Sequence, residues 1–267
     1  MTVAITILGC GSSGGVPRLA QGWGACDPNN SKNRRRRCSI LIERGHGAAK
    51  TNVLVDMSPD LRAQLLEAEV NRLDAILLTH SHADHTHGID DVRPLVIAAR
   101  RRIDVHMDEP TSQIVRRNFA YIFDTPPGSQ YPPLLNEMRL EPGLNCRIDG
   151  PGGAIEVMPF RLEHGEIDAL GFRLGDCAYT PDVCGVPPES VAYLEGLDLW
   201  IVDALRYTRH PTHWSLSETL DWIAKVKPRR AIVTNMHTDL DFERLRTELP
   251  SGVEPAFDGM RITVDVP

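Results

Sequence analysis

The stretch Leu77-Leu78-Thr79-His80-Ser81-His82-Ala83-Asp84-His85-Thr86-His87-Gly88 places four of the chain's ten histidines within eight residues. Histidine is the commonest side-chain metal ligand, because its neutral imidazole donates a nitrogen near physiological pH. The run "LDAILLTH" that leads into it reads as a buried strand, apolar throughout and bounded by polar residues. Its C-terminal end delivers His80. His82 follows two residues later, so in extended chain both side chains point the same way. Asp84 and His85 come after the turn and face a neighbouring position. The pattern H-x-H-x-D-H thus reads as half of a two-ion site, with His80 and His82 on one cation and Asp84 and His85 on the other. The competing reading is a polar loop that is merely rich in histidine.

Both cations still need ligands, and three later residues sit near strand ends: His164 in "RLEHGE", Asp182 in "AYTPDV" and His237 in "VTNMHTD". A carboxylate can bridge two ions. Asp182 is therefore expected between the two, with His164 and His237 completing one ion each. Asp56 closes the early strand "TNVLVD". It reads as a supporting carboxylate, which accepts the free N–H of a ligating histidine and fixes its tautomer. His46 in a "RGHG" turn and His106 on a strand read as structural, and His87 as either structural or a substrate contact.

The bulk properties limit what such a site can serve. The chain has 267 residues, with 42% hydrophobic and 24% charged content, ordinary for a globular protein. No internal repeat or Gly/Ser linker interrupts it, so a single domain over 1–267 is expected. The opening "MTVAITILGCGSSGG" is short and β-branched and reads as a first strand, and no apolar run is long enough to span a membrane. The six cysteines contain no C-x-x-C pair, so neither a disulfide framework nor a thiolate zinc site is signalled. A cytoplasmic address is expected. The net charge of −7 disfavours field-driven binding to nucleic acid or anionic membrane. One local exception is "NRRRRC", whose arginines Arg34 to Arg37 read either as a solvated edge or as receivers of an anionic substrate, with Arg37 the nominated contact.

Strands and helices alternate along the chain. "SPDLRAQLLEAE", "PTSQIVRRNFAYIF", "SLSETLDWIAKV" and "DFERLRTEL" read as helices, the third capped by Ser215 or Ser217. Strands are expected near 39–43, 154–163, 170–174 and 177–180, and in "LDLWIVDA", "RRAIVTN" and "RITVDV". The segment 124–153 is rich in Pro, Gly and Asn without clear period, and is expected to be a long loop or lid. Glycine-rich "GCGSSGGVP" has neither the G-K-[ST] of a Walker loop nor Rossmann spacing, so it reads as backbone that passes close to the metal site.

Five landmarks in order, Asp56, the H-x-H-x-D-H block, His164, Asp182 and His237, make the chain resemble the metallo-β-lactamase-fold hydrolase superfamily over nearly its whole length. The resemblance implies an α/β (α+β) fold, a four-layer αββα sandwich with the site along one edge of two sheets. "LGCGSSGGVP", "RRRRCS", "VDALR", "HPTHWSL" and "ELPSGVEPAFDGMRI" together resemble the phosphoribosyl cyclic phosphate phosphodiesterases of the PhnP type. The coenzyme-PQQ biosynthesis protein of the B type and tRNase Z look like more distant relatives. Two departures stand out. The phosphodiesterase type has a cysteine cluster after its "WG" for a separate structural zinc, whereas "WGACDPNN" keeps only Cys26, so that site is expected to be missing. In the family the last histidine ligand directly follows "LT". Here Asn235 has that position, leaving His237, or else water or Asn235 itself, to complete the second ion.

Two divalent cations are the implied cofactors, and imidazole with carboxylate suits Zn, Mn and Fe. Such a pair can share a hydroxide and clamp the oxygens of a phosphate or carbonyl. Asp84 and His213 are the candidate catalytic residues. The PhnP type has a histidine at the position of His213, which would donate the proton to the leaving alkoxide or contact the phosphate. His210 is its rival, and capping of the following helix is the plain alternative. The expected activity is a phosphodiesterase that opens a small cyclic phosphate or nucleotide-like phosphodiester by attack of a metal-bridging hydroxide. The alternatives are a tRNase Z-like RNA endonuclease, a thioesterase or lactonase, and a non-catalytic metal-binding protein on the same fold. Flavo-diiron proteins carry glutamate where this chain has His82, and a flavin domain besides. The expected partner is a small phosphate ester, with no membrane, nucleic acid disfavoured and an oligomer compatible with the sequence.

Overall fold

The structure, a computed structural model, describes residues 2–47 and 49–265. Strands β1 (Thr2–Gly9), β2 (Ser39–His46), β3 (Ala49–Val55), β4 (Ala75–Leu77), β5 (Ile103–Met107) and β6 (Leu135–Arg139) form one sheet with the last strand of the chain. The second sheet contains β7 (Cys146–Ile148), β8 (Ile155–His164), β9 (Ile167–Leu174), β10 (Cys177–Thr180), β11 (Leu199–Asp203), β12 (Arg230–Thr234) and β13 (Val253–Pro255). The closing strand, β14 (Arg261–Asp265), returns to the first sheet and gives it the order β14-β1-β2-β3-β4-β5-β6. The second sheet runs β13-β12-β11-β10-β9-β8-β7.

Period-two alternation explains why these strands need cover on both faces. Ile40, Ile42, Val53, Val55 and Leu77 face the second sheet and meet Phe172, Tyr179 and Ile201 in one central core. The intervening Leu41, Leu54 and Ile76 point outward, onto Leu61 and Leu65 of α1 (Leu61–Glu67) and onto Val115 of the helix Glu109–Asn118. On the far side, Trp200 and Val202 of β11 pack against Trp214 and against Ile223 of the helix Leu216–Val226 that follows it. Each buried aliphatic side chain contributes roughly 1.5–3 kcal/mol of apolar transfer. Trp200 is fully buried, and its indole N–H is satisfied by Thr180 Oγ1 at 2.9 Å. Helix, sheet, sheet and helix are therefore stacked in four layers, the αββα architecture. No helix among the described residues is long and apolar enough to cross a membrane.

One expectation changes. The segment 124–153 is not one open loop, because it contains β6 and β7, the edge strands of the two sheets. Short apolar stretches, "LLNEMRL" and "CRI", pair with β5 and β8 there, and the prolines and glycines around them hide the strand period. Among the described residues none of this segment lines the metal pocket described below, so it does not act as its lid in this conformation.

Parallel pairing of β3–β4 and of β10–β11–β12 sets several strand ends side by side. The chain leaves these ends carrying Asp56, His80, Asp182, Asp203 and Asn235, and β8 ends in His164. Ligand sites lie outside the carboxyl ends of parallel strands for this reason.

Candidate metal centre

Six of the seven side chains expected as ligands lie together. The donor atoms of His80, His82 and His164 lie within 4.8 Å of one another, as do those of His80, His85 and Asp182. Asp182 stands between the groups, with Oδ2 3.2 Å from His85 Nε2 and Oδ1 3.9 Å from His164 Nε2. Asp84 Oδ2 is 3.5 Å from His85 Nε2, on the second group's side. His82 caps the start of the four-residue helix Ala83–Thr86, and its Nδ1 lies 3.2 Å from His164 Nε2. That one turn of helix lets Asp84 and His85 swing to the position beside His80.

Three of the four histidines are oriented from behind. His85 Nδ1 donates to Asp56 Oδ2 at 2.7 Å, which sets this carboxylate, at the end of "TNVLVD", behind the His85 ring. Asp56 in turn accepts from the backbone N–H and hydroxyl of Thr79, at 2.8 and 2.9 Å. The Thr79 hydroxyl lies 3.0 Å from His80 Nδ1. His164 Nδ1 donates to the carbonyl of Thr212 at 2.7 Å. The outer nitrogens are thus occupied and the inner ones are turned toward a shared space. His80 Nε2, His85 Nε2 and Asp182 Oδ2 are buried there with no hydrogen-bond partner among the described residues. Orphaned buried polar atoms are costly unless something pairs with them. Two unpartnered imidazole nitrogens converging with an unpartnered carboxylate oxygen fit a pair of divalent cations.

The electrostatics agree. Burial, followed by the neighbouring His85, holds His80 well below its ordinary pKa, and burial takes His164 down to about 4. Both rings are neutral donors at neutral pH. Burial would lower His85, but Asp182, Asp56 and Asp84 outweigh it and raise this ring well above 6.5. Burial would likewise raise Asp182, yet His85 keeps its carboxylate well below the usual range.

His237 does not join this set. Its Nε2 is turned to the guanidinium of Arg18 and its Nδ1 lies 3.1 Å from the Thr238 hydroxyl. The place beside His164 and Asp182 belongs to His213. Strand β12 ends at Thr234, and the next residue, Asn235, adopts left-handed backbone with φ of 60°. That turn carries the chain away before His237 can reach the other side chains of this set. Asn235 itself is buried in the centre, where its Nδ2 donates to the Pro181 carbonyl at 2.8 Å and toward Asp182 Oδ1 at 3.3 Å.

His213 precedes the helix Leu216–Val226, which Ser215 and Glu218 cap reciprocally. Its Nδ1 donates to Asp203 Oδ2 at 2.8 Å. Asp203 ends strand β11, and burial pushes its pKa up to about 7. Burial opposes the charge on His213, but Asp203 prevails and raises the ring to about 9. Asp203 and Thr79 had not been singled out in the sequence. The signal for Asp203 was present, since "LWIVDA" ends an apolar strand in aspartate as "TNVLVD" does.

The other nominated contacts lie elsewhere. Arg37 Nη1 pairs with Asp60 at 3.2 Å, outside the pocket. Within the arginine run, Arg35 is a strut: it is 2% exposed and donates to the carbonyls of Leu240 and His237, at 2.6 and 3.2 Å. His87 is exposed, edge-on to Phe119, and does not line the pocket. The Gly-rich stretch packs against the arginine run; a Cβ on Gly9 would lie 2.0 Å from the Arg37 carbonyl. Ser12 and Ser13, from the same stretch, do reach the pocket.

The centre opens into a pocket of about 260 Å³, whose wall also includes Arg18, Arg206, His210 and His237. A larger cavity of about 840 Å³ lies near Val3, Arg147, Glu156 and Arg173. Its Arg147 is paired with Asp149 and Glu156, and its Arg173 donates to backbone carbonyls, whereas the grouped His and Asp side chains line the smaller one.

Residues 51–236 match the family described as the beta-lactamase superfamily domain. An octanoyltransferase of Porphyromonas gingivalis is 30% identical over 264 residues, which is 97% of this chain and 51% of that protein. A ribonuclease Z of a Bradyrhizobium strain is 30% identical over 157 residues, 57% of this chain and 47% of that protein. The chain therefore spans about half the length of the curated relatives it matches. A solved structure described as a new diphosphatase from the PhnP family superposes with a TM-score of 0.89 at 31% identity, covering 100% of this chain and 98% of that one.

Proposed function

The chain belongs to the beta-lactamase superfamily, and we propose that within it this protein is a two-metal hydrolase of small phosphate esters. The observation that carries this reading is Asp182, whose two oxygens face His85 on one side and His164 on the other. His80, His82, His164 and Asp182 would hold one ion, and Asp84, His85 and Asp182 the other. When bound, such ions supply Lewis acidity to the phosphoryl oxygens and a nucleophile drawn from water at neutral pH.

The chain's own residues do the rest. Thr79, Asp56 and the Thr212 carbonyl hold three imidazoles in fixed tautomers. His213, oriented by Asp203, carries the proton that the leaving oxygen needs when the phosphorus–oxygen bond breaks. The proton leaves from Nε2, and Nδ1 keeps its bond to Asp203 throughout. The pocket of about 260 Å³ suits a compact ester, either a small cyclic phosphate or a nucleotide-like diester. Likeness to a PhnP-family diphosphatase at 31% identity supports chemistry at phosphorus. The ribonuclease Z likeness makes an RNA end the second reading, and the net charge of −7 weighs against it. The octanoyltransferase is a protein about twice this chain's length, and this chain matches only about half of it.

The test is 31P NMR of the manganese-loaded protein with a ribose five-membered cyclic phosphate, beside a His82→Ala control. Ring opening to a monoester, lost in the variant, supports the reading. An unchanged spectrum from protein that holds two metals would move the search to RNA ends, thioesters and lactones.

A further inference from the structure

The pocket wall carries two guanidiniums that the grouped His and Asp side chains do not engage. Arg18 and Arg206 both line it. Many arginines of this acidic chain are paired with carboxylates, as Arg36 is with Glu67 and Arg209 with Glu218. Among the described residues, neither Arg18 nor Arg206 forms an ion pair with a carboxylate. Arg206 is held by neutral groups, its Nε donating to the Thr208 carbonyl at 3.1 Å and its Nη2 to the Arg209 carbonyl at 2.7 Å. These bonds fix the guanidinium and leave its charge uncancelled. Arg18 rests on a ring, His237 Nε2.

Arg18 is also built into place. Its N–H and C=O pair with those of Gly22, both at 2.8 Å, closing residues 18–22 into a small hairpin. The guanidinium lies directly over Gly14, where a Cβ would come within 2.3 Å of its Nε. Val16 pairs with Arg35 through both backbone groups, at 2.8 and 2.9 Å. Buried Arg35 then holds the His237 and Leu240 carbonyls. One strut thus fixes the Arg18 arm and the His237 loop to each other.

We propose that Arg18 and Arg206, with His237 as the backing ring, form a second anion subsite beside the metal centre, which takes the second phosphoryl group of a diphosphate ester. This assignment rests on the two-metal hydrolase reading and narrows its substrate class. A cyclic monophosphate would leave both guanidiniums without an anionic partner. A diphosphate places one phosphoryl group at the His/Asp donors and the adjacent one against the arginines, whose N–H donors match phosphate oxygens.

The test is calorimetry on manganese-loaded protein at fixed manganese, with adenosine 5′-monophosphate and the non-hydrolysable adenosine 5′-(α,β-methylene)diphosphate as probes. The wild type is expected to bind the diphosphate at least about tenfold more tightly, the worth of one charge-assisted hydrogen bond. Arg18→Met and, independently, Arg206→Met should remove most of that gap and leave monophosphate affinity within about twofold. Gly14→Ala, which displaces the Arg18 guanidinium without deleting it, should shrink the gap too. Equal affinities in the wild type, or a gap that survives both arginine substitutions, would overturn the subsite. Monophosphate binding without a diphosphate advantage overturns only the subsite. A diphosphate advantage in protein that hydrolyses no phosphate ester leaves the subsite standing and overturns the hydrolase reading.

Discussion

Asp203 Oδ2 lies 2.8 Å from Nδ1 of His213, and this pair, not His237, stands beside Asp182 and His164. Its place separates two roles for His213. An imidazole that hands a proton to the leaving oxygen can be lost without loss of metal, whereas a ligand cannot.

Substituting His213→Gln should therefore lower kcat by about 10²–10⁴, the usual worth of a positioned acid, with KM and metal content little changed. Asp203→Asn should lower kcat less. Metal analysis alongside steady-state kinetics checks this, and loss of one ion per chain in His213→Gln would make it a ligand instead.

Asp56→Asn removes the carboxylate that accepts from His85 Nδ1 at 2.7 Å. Metal affinity should fall by roughly 10–100-fold, as it does when partners behind metal-binding histidines are removed. Competition against a chromogenic chelator measures it. Unchanged affinity would mean that Thr79 alone suffices to set the rings.

Asn235 occupies the position at which the resemblance calls for a histidine, and its Nδ2 points toward Asp182 Oδ1 at 3.3 Å. An N–H donor aimed at a carboxylate is no cation ligand. Asn235→His should supply an imidazole there and tighten the weaker of the two ions by about tenfold, or 1.4 kcal/mol. Histidine is among the residues that tolerate the left-handed backbone at this position, φ 60°. No gain in affinity would show that the second ion is already complete without this position.

Asp258 ties the end of β1 to the arginine run, accepting from the backbone N–H groups of Cys10 and Arg36 at 3.1 and 2.8 Å. Burial pushes its pKa up to about 7, above its ordinary 3.8. A raised folded-state pKa favours the protonated form in the folded protein, so its contribution is full below pH about 4 and is lost as pH rises through about 7. Metal-free wild type should lose stability from pH 5.5 to 8, and Asp258→Asn should flatten that slope. Urea unfolding at both pH values decides; parallel slopes would contradict it.

How much of this was legible in the chain depends on distance along it. The H-x-H-x-D-H block, Asp56, His164 and Asp182 could be nominated together because the block follows an apolar strand, the others sit at or just past strand ends, and a metal site requires those residue types. The four-layer sandwich followed from the resemblance those landmarks carry. His237 was misplaced because spacing says nothing of a left-handed turn at Asn235. Asp203 went unnamed because its partner His213 reaches it only through the fold. Arg35 looked like one of four surface arginines, yet tertiary packing buries it under two carbonyls. Edge strands β6 and β7 were hidden because short strands flanked by Pro and Gly lack a visible period.

The account stands or falls on attack at phosphorus. Hydrolysis of bis(p-nitrophenyl) phosphate by the manganese-loaded protein in 18O-enriched water, followed by mass spectrometry of both products, tests it directly. Heavy oxygen should appear in the phosphate monoester and not in the nitrophenol, and the turnover should vanish in His164→Ala. Label in the nitrophenol, or no turnover of any phosphate ester by protein that holds two ions, would contradict it.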